Sequence, residues 1–484
     1  MARGRGRSTA YVAAAQIGQE GLGLFRNVIL ARALGPSEMG TVAALALTAS
    51  LLEMVSDFGP DRLLVQAEDG DREEFQATAQ TLLVGRGLLC AILLAILAIP
   101  AGLLLGRPDA AWMIAALGAV TAIRGLMHLD CKRVQRNHEF RRMMVVELSG
   151  AVLATAGTLI LTRLIGNAWV LVCVNLIQVL TVVGLSHLVA DRKYGLGIER
   201  DLLGRLWKFG WPLAVNSLIM FGAMQGDRLV VLATASPADL GRYAVVFQLT
   251  LVPALLISRI ASTAWLPSLA RVQNDRTAFA TQISQITTLI GGVALVFSLG
   301  ILLTGNLVIG LLYGDAFKVS MMLMCWLAVM QGLRIVRAAP SLVAMSRADS
   351  LNPLAANILR CTGIAAAAVA GGLGAGLETI AACGAVGELV ALTGSVVFLA
   401  RRHAIDPRPI AQATLLFVLG TGAGWVLVSA GWENPLVSGV AAAVVALCVG
   451  IAVARIVQLR SHREAPAAVS LSGACLPALA EKGN

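Results

Sequence analysis

The sequence predicts an all-α polytopic membrane protein with about fourteen transmembrane helices. Three observations predict it. The 484 residues are 57% hydrophobic and only 14% charged, with a mean hydropathy of +0.78; soluble domains carry roughly 25% charged residues. Apolar runs of about 20 residues, the length of a bilayer-crossing helix, recur along the chain. Basic residues are distributed unequally between alternate connections, which sets the sidedness of the spans.

In order, spans are expected near residues 10–34, 41–65, 77–105, 110–130, 143–162, 168–190, 209–235, 242–265, 283–313, 319–343, 354–374, 377–399, 410–430 and 435–458. The basic start Met1-Ala2-Arg3-Gly4-Arg5 runs into a long, mildly polar first span, which reads as retained rather than as a cleaved signal. The eleventh and twelfth spans meet at the tight glycine-rich turn 371–376. That turn lacks a following Lys-Ser/Thr and is not a phosphate loop. The connections are short, so no extramembranous domain is expected to house an enzyme site. Residues 460–484 read as a disordered tail.

With the N-terminus placed in the cytoplasm, 24 of the 38 Lys and Arg fall on cytoplasmic segments, five on the opposite turns and nine inside apolar runs. Both termini are therefore expected to be cytoplasmic. The net charge of +10 is mostly this topology signal and does not indicate nucleic-acid binding. Eight cysteines lie mostly in or beside apolar runs without CxxC or Cys/His spacing, and read as small apolar filler. Five histidines show no ligand spacing, so neither a metal nor another cofactor is expected. With no ATP site, energy must come from an ion gradient, substrate mass action or a partner.

An internal repeat organises the chain. Gly35-Pro36-Ser37-Glu38-Met39-Gly40 follows the first span, and Ser236-Pro237-Ala238-Asp239-Leu240-Gly241 follows the seventh, 201 residues later. Pro, acidic residue and closing Gly recur in register at equivalent places in the topology. Pro suits the first turn of the next helix, and the acidic residue suits its N-terminus. The unit is six helices, and an even number makes the halves parallel repeats about an axis along the membrane normal. The expected organisation is a first lobe over 1–200, a second over 201–400, an added helix pair over 401–459 and the tail.

The turn Arg32-Ala33-Leu34-Gly35-Pro36-Ser37-Glu38-Met39-Gly40, with Asp57-Phe58-Gly59 and Leu63-Leu64-Val65-Gln66 beyond it, carries a resemblance. It resembles the polysaccharide-export and O-antigen flippase (Wzx-type) branch of the multidrug/oligosaccharidyl-lipid/polysaccharide exporter superfamily. The likeness covers the span layout of the whole chain and is strongest over residues 20–90. It implies two six-helix lobes around a cationic cavity, alternating access, and an undecaprenyl-pyrophosphate-linked oligosaccharide as cargo. Many members have twelve spans; the fourteen expected here add a pair.

The nine intramembrane arginines are Arg26, Arg62, Arg86, Arg124, Arg228, Arg259, Arg334, Arg337 and Arg360. A guanidinium at the bilayer centre costs about 2.5–3.5 kcal/mol on insertion scales, so most need a protein-lined interior. Arg26, Arg86, Arg124, Arg228, Arg334 and Arg337 are the candidates for a cationic cavity that grips pyrophosphate, whose oxygens match the guanidinium fork. Arg334 and Arg337 are three apart and share a helix face. The competing reading of each arginine is pairing with a carboxylate or reaching out to lipid headgroups, and it is favoured for Arg62 beside Asp61. Acidic Glu20, Glu53, Asp57, Glu147, Asp227 and Glu388 also enter the spans. Glu20, Glu53, Asp57 and Asp227 are candidates to couple transport to H⁺ or Na⁺, with charge pairing as the alternative. The basic, Trp-bearing segment Gly204–Pro212 and Trp112, Trp169 and Trp432 suit the membrane interface.

The expected function is an inner-membrane flippase or exporter for a lipid-linked oligosaccharide destined for O-antigen, capsule or exopolysaccharide. Its partners are that lipid-linked glycan, membrane lipid, H⁺ or Na⁺ as coupling ion, and glycan polymerases or glycosyltransferases. The alternatives are a lipid II flippase and a drug or cation antiporter of the same superfamily, the latter disfavoured because it wants an acidic cavity. A membrane glycan polymerase or ligase would want a large extracytoplasmic loop. A non-transporting scaffold is the remaining reading.

Overall fold

The computed structural model describes residues 2–137 and 139–429. The expected last span, the tail, Trp432, His138, His462, Cys448 and Cys475 lie outside the described residues. Those described form α1 (Ala2–Val55), α2 (Pro60–Gln66), α3 (Glu73–Leu104), α4 (Ala110–Gly125), α5 (Asp130–Arg133), α6 (Arg141–Leu164), α7 (Trp169–Leu188), α8 (Arg200–Thr234), α9 (Pro237–Val272), α10 (Arg276–Leu312), α11 (Met321–Ser346), α12 (Leu351–Gly372), α13 (Leu377–His403) and α14 (Arg408–Ser429). Short 3₁₀ turns cover Val134–Asn137 and Asp315–Phe317.

The chain is an all-α, multi-pass membrane protein. Ten of these helices, or eleven counting the bent pair Ala110–Gly125 with Asp130–Asn137, are long and apolar enough to cross a bilayer. The difference from the thirteen spans expected over the same residues has three local causes. The run Ala2–Val55 contains two expected spans, divided at Gly35. Helix α4 is only 16 residues long and hands over to α5 through a 58° bend. Helix α8 carries Asp227, Arg228 and a basic, Trp-bearing start, which dilute its hydropathy. On α3, Leu88, Ile92, Ile96, Ile99 and Leu103 are exposed at helical spacing, a lipid-facing stripe.

Each of the repeated turns starts a helix at its proline. Gly35, at φ 76° and ψ 175°, occupies backbone space that a Cβ disfavours, and Pro36 starts the next helix. At the second turn Ser236 caps α9, its hydroxyl accepting from the Asp239 N–H, and Pro237 is the first helical residue. The acidic residues do not act alike. Asp239 stays local, accepting from Ser236 and pairing with Arg242 at 3.1 Å. Glu38 reaches across to accept from the Ala168 N–H at the start of α7, and pairs with Arg107. The expectation that Glu38 serves its own helix is thus corrected: it caps a neighbour.

Helix α3 packs on α4, α6 on α7, and α1 on α6; in the second half α12 and α11 pack on α13, α10 and α9 on α11, and α8 on α12. Helix α14 lies on α10 and α11. Its Phe417 is buried against Gly332, where a Cβ would stand 2.3 Å from the ring. The main seam between the halves is α1 against α9, extended by α1 against α8. Its core is apolar, with Leu30, Val42 and Leu45 in one cluster with Val245, Phe247 and Leu249. At the turn end of this seam the two repeats close on each other. A Cβ on Gly40 would stand 1.7 Å from the Pro237 carbonyl oxygen, and one on Gly241 2.0 Å from that of Pro36.

At the opposite, basic end, Asp57-Phe58-Gly59 breaks the chain between α1 and α2. Gly59 is left-handed at φ 62°, and Pro60 opens α2. The second span therefore ends at Val55 rather than near residue 65. Phe58 stacks on Trp207 of α8 with centroids 5.3 Å apart, and Gly210 admits the Phe58 backbone. Arg205 clasps Asp69 at 2.7 Å, and Arg133 clasps Asp71 at 2.8 Å. Hydrogen bonds from those two guanidiniums hold both carboxyls below the usual carboxylate range. Much of the basic charge read from the sequence as a sidedness signal is thus also used to tie loops together.

Candidate functional site

Most of the candidate charged side chains inside the helices gather in three places. The first is a cavity of about 230 Å³ in the first half, between the ends of α1, α3, α4 and α6. Its acidic lining is Glu53, Asp57, Asp61 and Glu147; its basic lining is Arg86, Arg124 and Lys132. Arg86 donates to the Glu53 carbonyl at 2.7 Å and to Ser56 Oγ at 3.1 Å, and pairs with Asp57 at 3.3 Å. Asp57 also takes Arg62 at 3.0 Å and accepts from the Gly59 N–H, so the Asp-Phe-Gly turn both fixes the carboxylate and starts α2. Lys132 sits 3.6 Å from Asp61. Arg124 is exposed at the cavity edge. Four carboxylates and three cations line the cavity, and Arg62 adds a fourth cation on Asp57.

The second place is the seam. Arg26 donates to Gln178 of α7 at 2.8 Å, and its neighbour Asn27 bonds Gln248 of α9. Arg228 lies over the Phe247 ring at 4.5 Å, a cation–π placement. Its Nε meets no acceptor among the described residues. Asp227 points elsewhere and accepts from the Tyr243 hydroxyl at 3.2 Å. The 100° between successive helical residues separates the two charges, as geometry requires.

The third place is inside the second half. Glu388 of α13, fully buried, takes Arg334 Nε at 2.8 Å and Arg360 Nε at 2.7 Å on one oxygen, and Arg337 Nε at 3.1 Å on the other. Arg337 also donates to Asn357 Oδ1 at 3.1 Å. Arg334 and Arg360 are only 5% and 3% exposed. The shared face of Arg334 and Arg337 is thereby accounted for: both address one carboxylate.

The six candidate arginines therefore do not line one common cleft. Arg86 and Arg124 share the first-half cavity, Arg26 and Arg228 sit at the seam, and Arg334 and Arg337 are neutralised in part by Glu388. Part of the seam between the halves is packed with apolar side chains, and among the described residues the six arginines are spread over three places. The four ion-coupling candidates also separate. Glu53 and Asp57 face the cavity, Glu20 is exposed on α1, and Asp227 is buried on Tyr243. Sequence reasoning missed Lys132 and Glu147 as members of the cavity and Glu388 as a hub; no local spacing signalled them.

A family model matches more than half of the chain. Residues 29–322 match the model described as polysaccharide biosynthesis protein. The chain belongs to that family. This member is similar to the lipopolysaccharide biosynthesis protein WzxC of Escherichia coli (strain K12), at 21% identity over 318 residues, 65% of this chain and 64% of that one. It is also similar to the succinoglycan biosynthesis transport protein ExoT of Rhizobium meliloti (strain 1021), at 24% identity over 279 residues, 56% of this chain and 54% of that one. The chain thus spans less than two thirds of the length of either curated relative. Among solved structures, lipid II flippase MurJ in its inward closed conformation superposes with a TM-score of 0.69 at 13% identity, covering 92% of this chain and 99% of that chain. An inward-facing multidrug resistance MATE family transporter of the MOP superfamily gives 0.62 at 15% identity, covering 82% and 95%. These likenesses place the fold. The family member is a multi-pass membrane protein of polysaccharide biosynthesis.

Proposed function

We propose that this chain flips a lipid-linked oligosaccharide across the bacterial inner membrane by alternating access, with both termini cytoplasmic. The carrying observation is the family match over residues 29–322, together with relatives named for lipopolysaccharide biosynthesis and succinoglycan transport. The charge layout supports it. Arg26 is held by a neutral amide and Arg228 by an aromatic ring, and Arg124 stands exposed at a cavity edge. Guanidiniums without a carboxylate partner are the ones left to pair with an anionic cargo such as a pyrophosphate-sugar head. The first-half cavity, with Glu53 and Glu147 outside any ion pair of the described residues, suits the coupling cation, H⁺ or Na⁺, held by Glu53, Asp57 and Glu147. Arg334 and Arg337 belong on this reading to the scaffold. Rocking of the halves about the α1–α9 seam supplies the change of access. The glycan product and the polymerases and glycosyltransferases that handle it set the cell biology around this step.

Complementation of a flippase-deficient strain tests the reading. Arg26→Gln, Arg124→Gln and Arg228→Gln are each expected to lower surface-glycan export at least tenfold, with normal amounts of folded protein in the membrane. Wild-type export from all three would remove the cargo assignment. Glu53→Gln and Asp57→Asn are expected to make export insensitive to collapse of the ion gradient at a much reduced rate. Full, gradient-driven export in both variants would remove the coupling assignment.

A further inference from the structure

We propose that the Glu388 cluster holds a small monovalent anion, chloride in the cell, as a structural ion of the second half. Two independent features coincide on the same side chains. The first is charge. Three guanidiniums face one carboxylate, and Asp227, bonded to Tyr243, makes no ion pair with them. Two positive charges are therefore unmatched in a buried, low-dielectric place, where an unpaired charge is strongly unfavourable. The second is hydrogen bonding. Arg334 and Arg360 both spend Nε on the same Glu388 oxygen, and that contact leaves their outer nitrogens to other acceptors. Nη1 and Nη2 of Arg334 and Nη1 of Arg360 are buried and meet no acceptor among the described residues. Arg337, by contrast, has Asn357 as a second partner. One turn before Arg334, the Gln331 carboxamide is also buried with no partner among the described residues, so its N–H₂ adds a donor on the same helix face.

The ligand that answers both features accepts several hydrogen bonds and carries negative charge. Water would satisfy the donors and leave the charge. A phosphate on a lipid stem would need an opening, and Arg334 and Arg360 are 5% and 3% exposed. A bare halide needs neither stem nor opening. It would sit among the outer nitrogens of Arg334 and Arg360, shared by α11 and α12, and pull both helices toward α13.

The test uses the full-length protein in detergent, heated in sodium chloride–sodium gluconate mixtures of constant ionic strength. The unfolding temperature is expected to climb by about 2 °C for each tenfold rise in chloride once the site begins to fill. Arg360→Met removes one excess charge and one unpartnered donor while Glu388 keeps two arginines. It is expected to flatten the chloride dependence. As a direct measurement on the unaltered protein, crystals grown in sodium bromide are expected to show an anomalous peak within hydrogen-bond distance of Arg334 and Arg360. A wild-type unfolding temperature indifferent to chloride, or a bromide map without density there, overturns the proposal. A chloride dependence that persists unchanged in Arg360→Met also overturns it, placing the ion elsewhere. None of these readouts involves glycan export, so the proposal stands or falls apart from the transport reading.

Discussion

Glu388→Ala is expected to eliminate folded protein, and Glu388→Gln to come close. Among the described residues, Glu388 is the sole carboxylate in ion-pair contact with Arg334, Arg337 and Arg360, at 2.7–3.1 Å. Removing one partner of a buried ion pair costs about 3–5 kcal/mol because the other charge stays behind desolvated. Here three charges stay behind. Total stabilities of about 5–15 kcal/mol leave little margin for such a loss. Glutamine keeps the shape and acceptor oxygen but not the charge, so it separates packing from electrostatics. Arg337→Met should be milder, since Glu388 retains Arg334 and Arg360, and Arg337 is the most exposed of the three. Fluorescence-detected size-exclusion chromatography of tagged variants, before and after heating, reads the order directly. A Glu388→Ala profile matching wild type would show that the cluster does not hold α11, α12 and α13 together.

Gly40→Ala and Gly241→Ala are expected to force apart the turn end of the α1–α9 seam. An added Cβ would lie 1.7 Å from the Pro237 carbonyl oxygen in the first case and 2.0 Å from the Pro36 carbonyl oxygen in the second. Both obstacles are backbone atoms, so no side-chain rotation relieves them. Overpacking of this kind costs about 1–3 kcal/mol. A shift of about 2 kcal/mol between two access states changes their ratio about thirtyfold. Spin labels at Ser37 and Ala238 should report a longer, broader distance distribution in either variant, and export should fall with it. A Cβ added at Gly21 or Gly23 would meet nothing within 4 Å, so these two positions serve as controls on the same helix. Unchanged distances in both Gly40→Ala and Gly241→Ala would mean that this contact is not part of the closure.

The fold class was legible because it has a local signature, as does the repeated turn. Span length and hydropathy mark helices, and Pro36 with Gly40 recurs as Pro237 with Gly241. The breaks were less legible. Asp57-Phe58-Gly59 stops a helix through a left-handed glycine, while the surrounding residues keep the apolar pattern of one span. Helix α8 is legible as an apolar run over 209–235 even though Asp227 and Arg228 lower its hydropathy. The cavity was harder still. Glu147 and Lys132 join Glu53 and Arg86 only through tertiary packing, which no spacing encodes. For Arg334, the sequence held both answers, cavity lining and pairing with a carboxylate. Packing of α11 on α13 decides between them by setting Glu388 opposite both Arg334 and Arg337.

The mutual approach of the two glycine turns has a mechanical consequence. Each turn abuts the carbonyl that opens its counterpart, Gly40 against Pro237 and Gly241 against Pro36, so the two contacts are reciprocal. In the transport cycle proposed above, the pair is expected to act as one latch with two teeth.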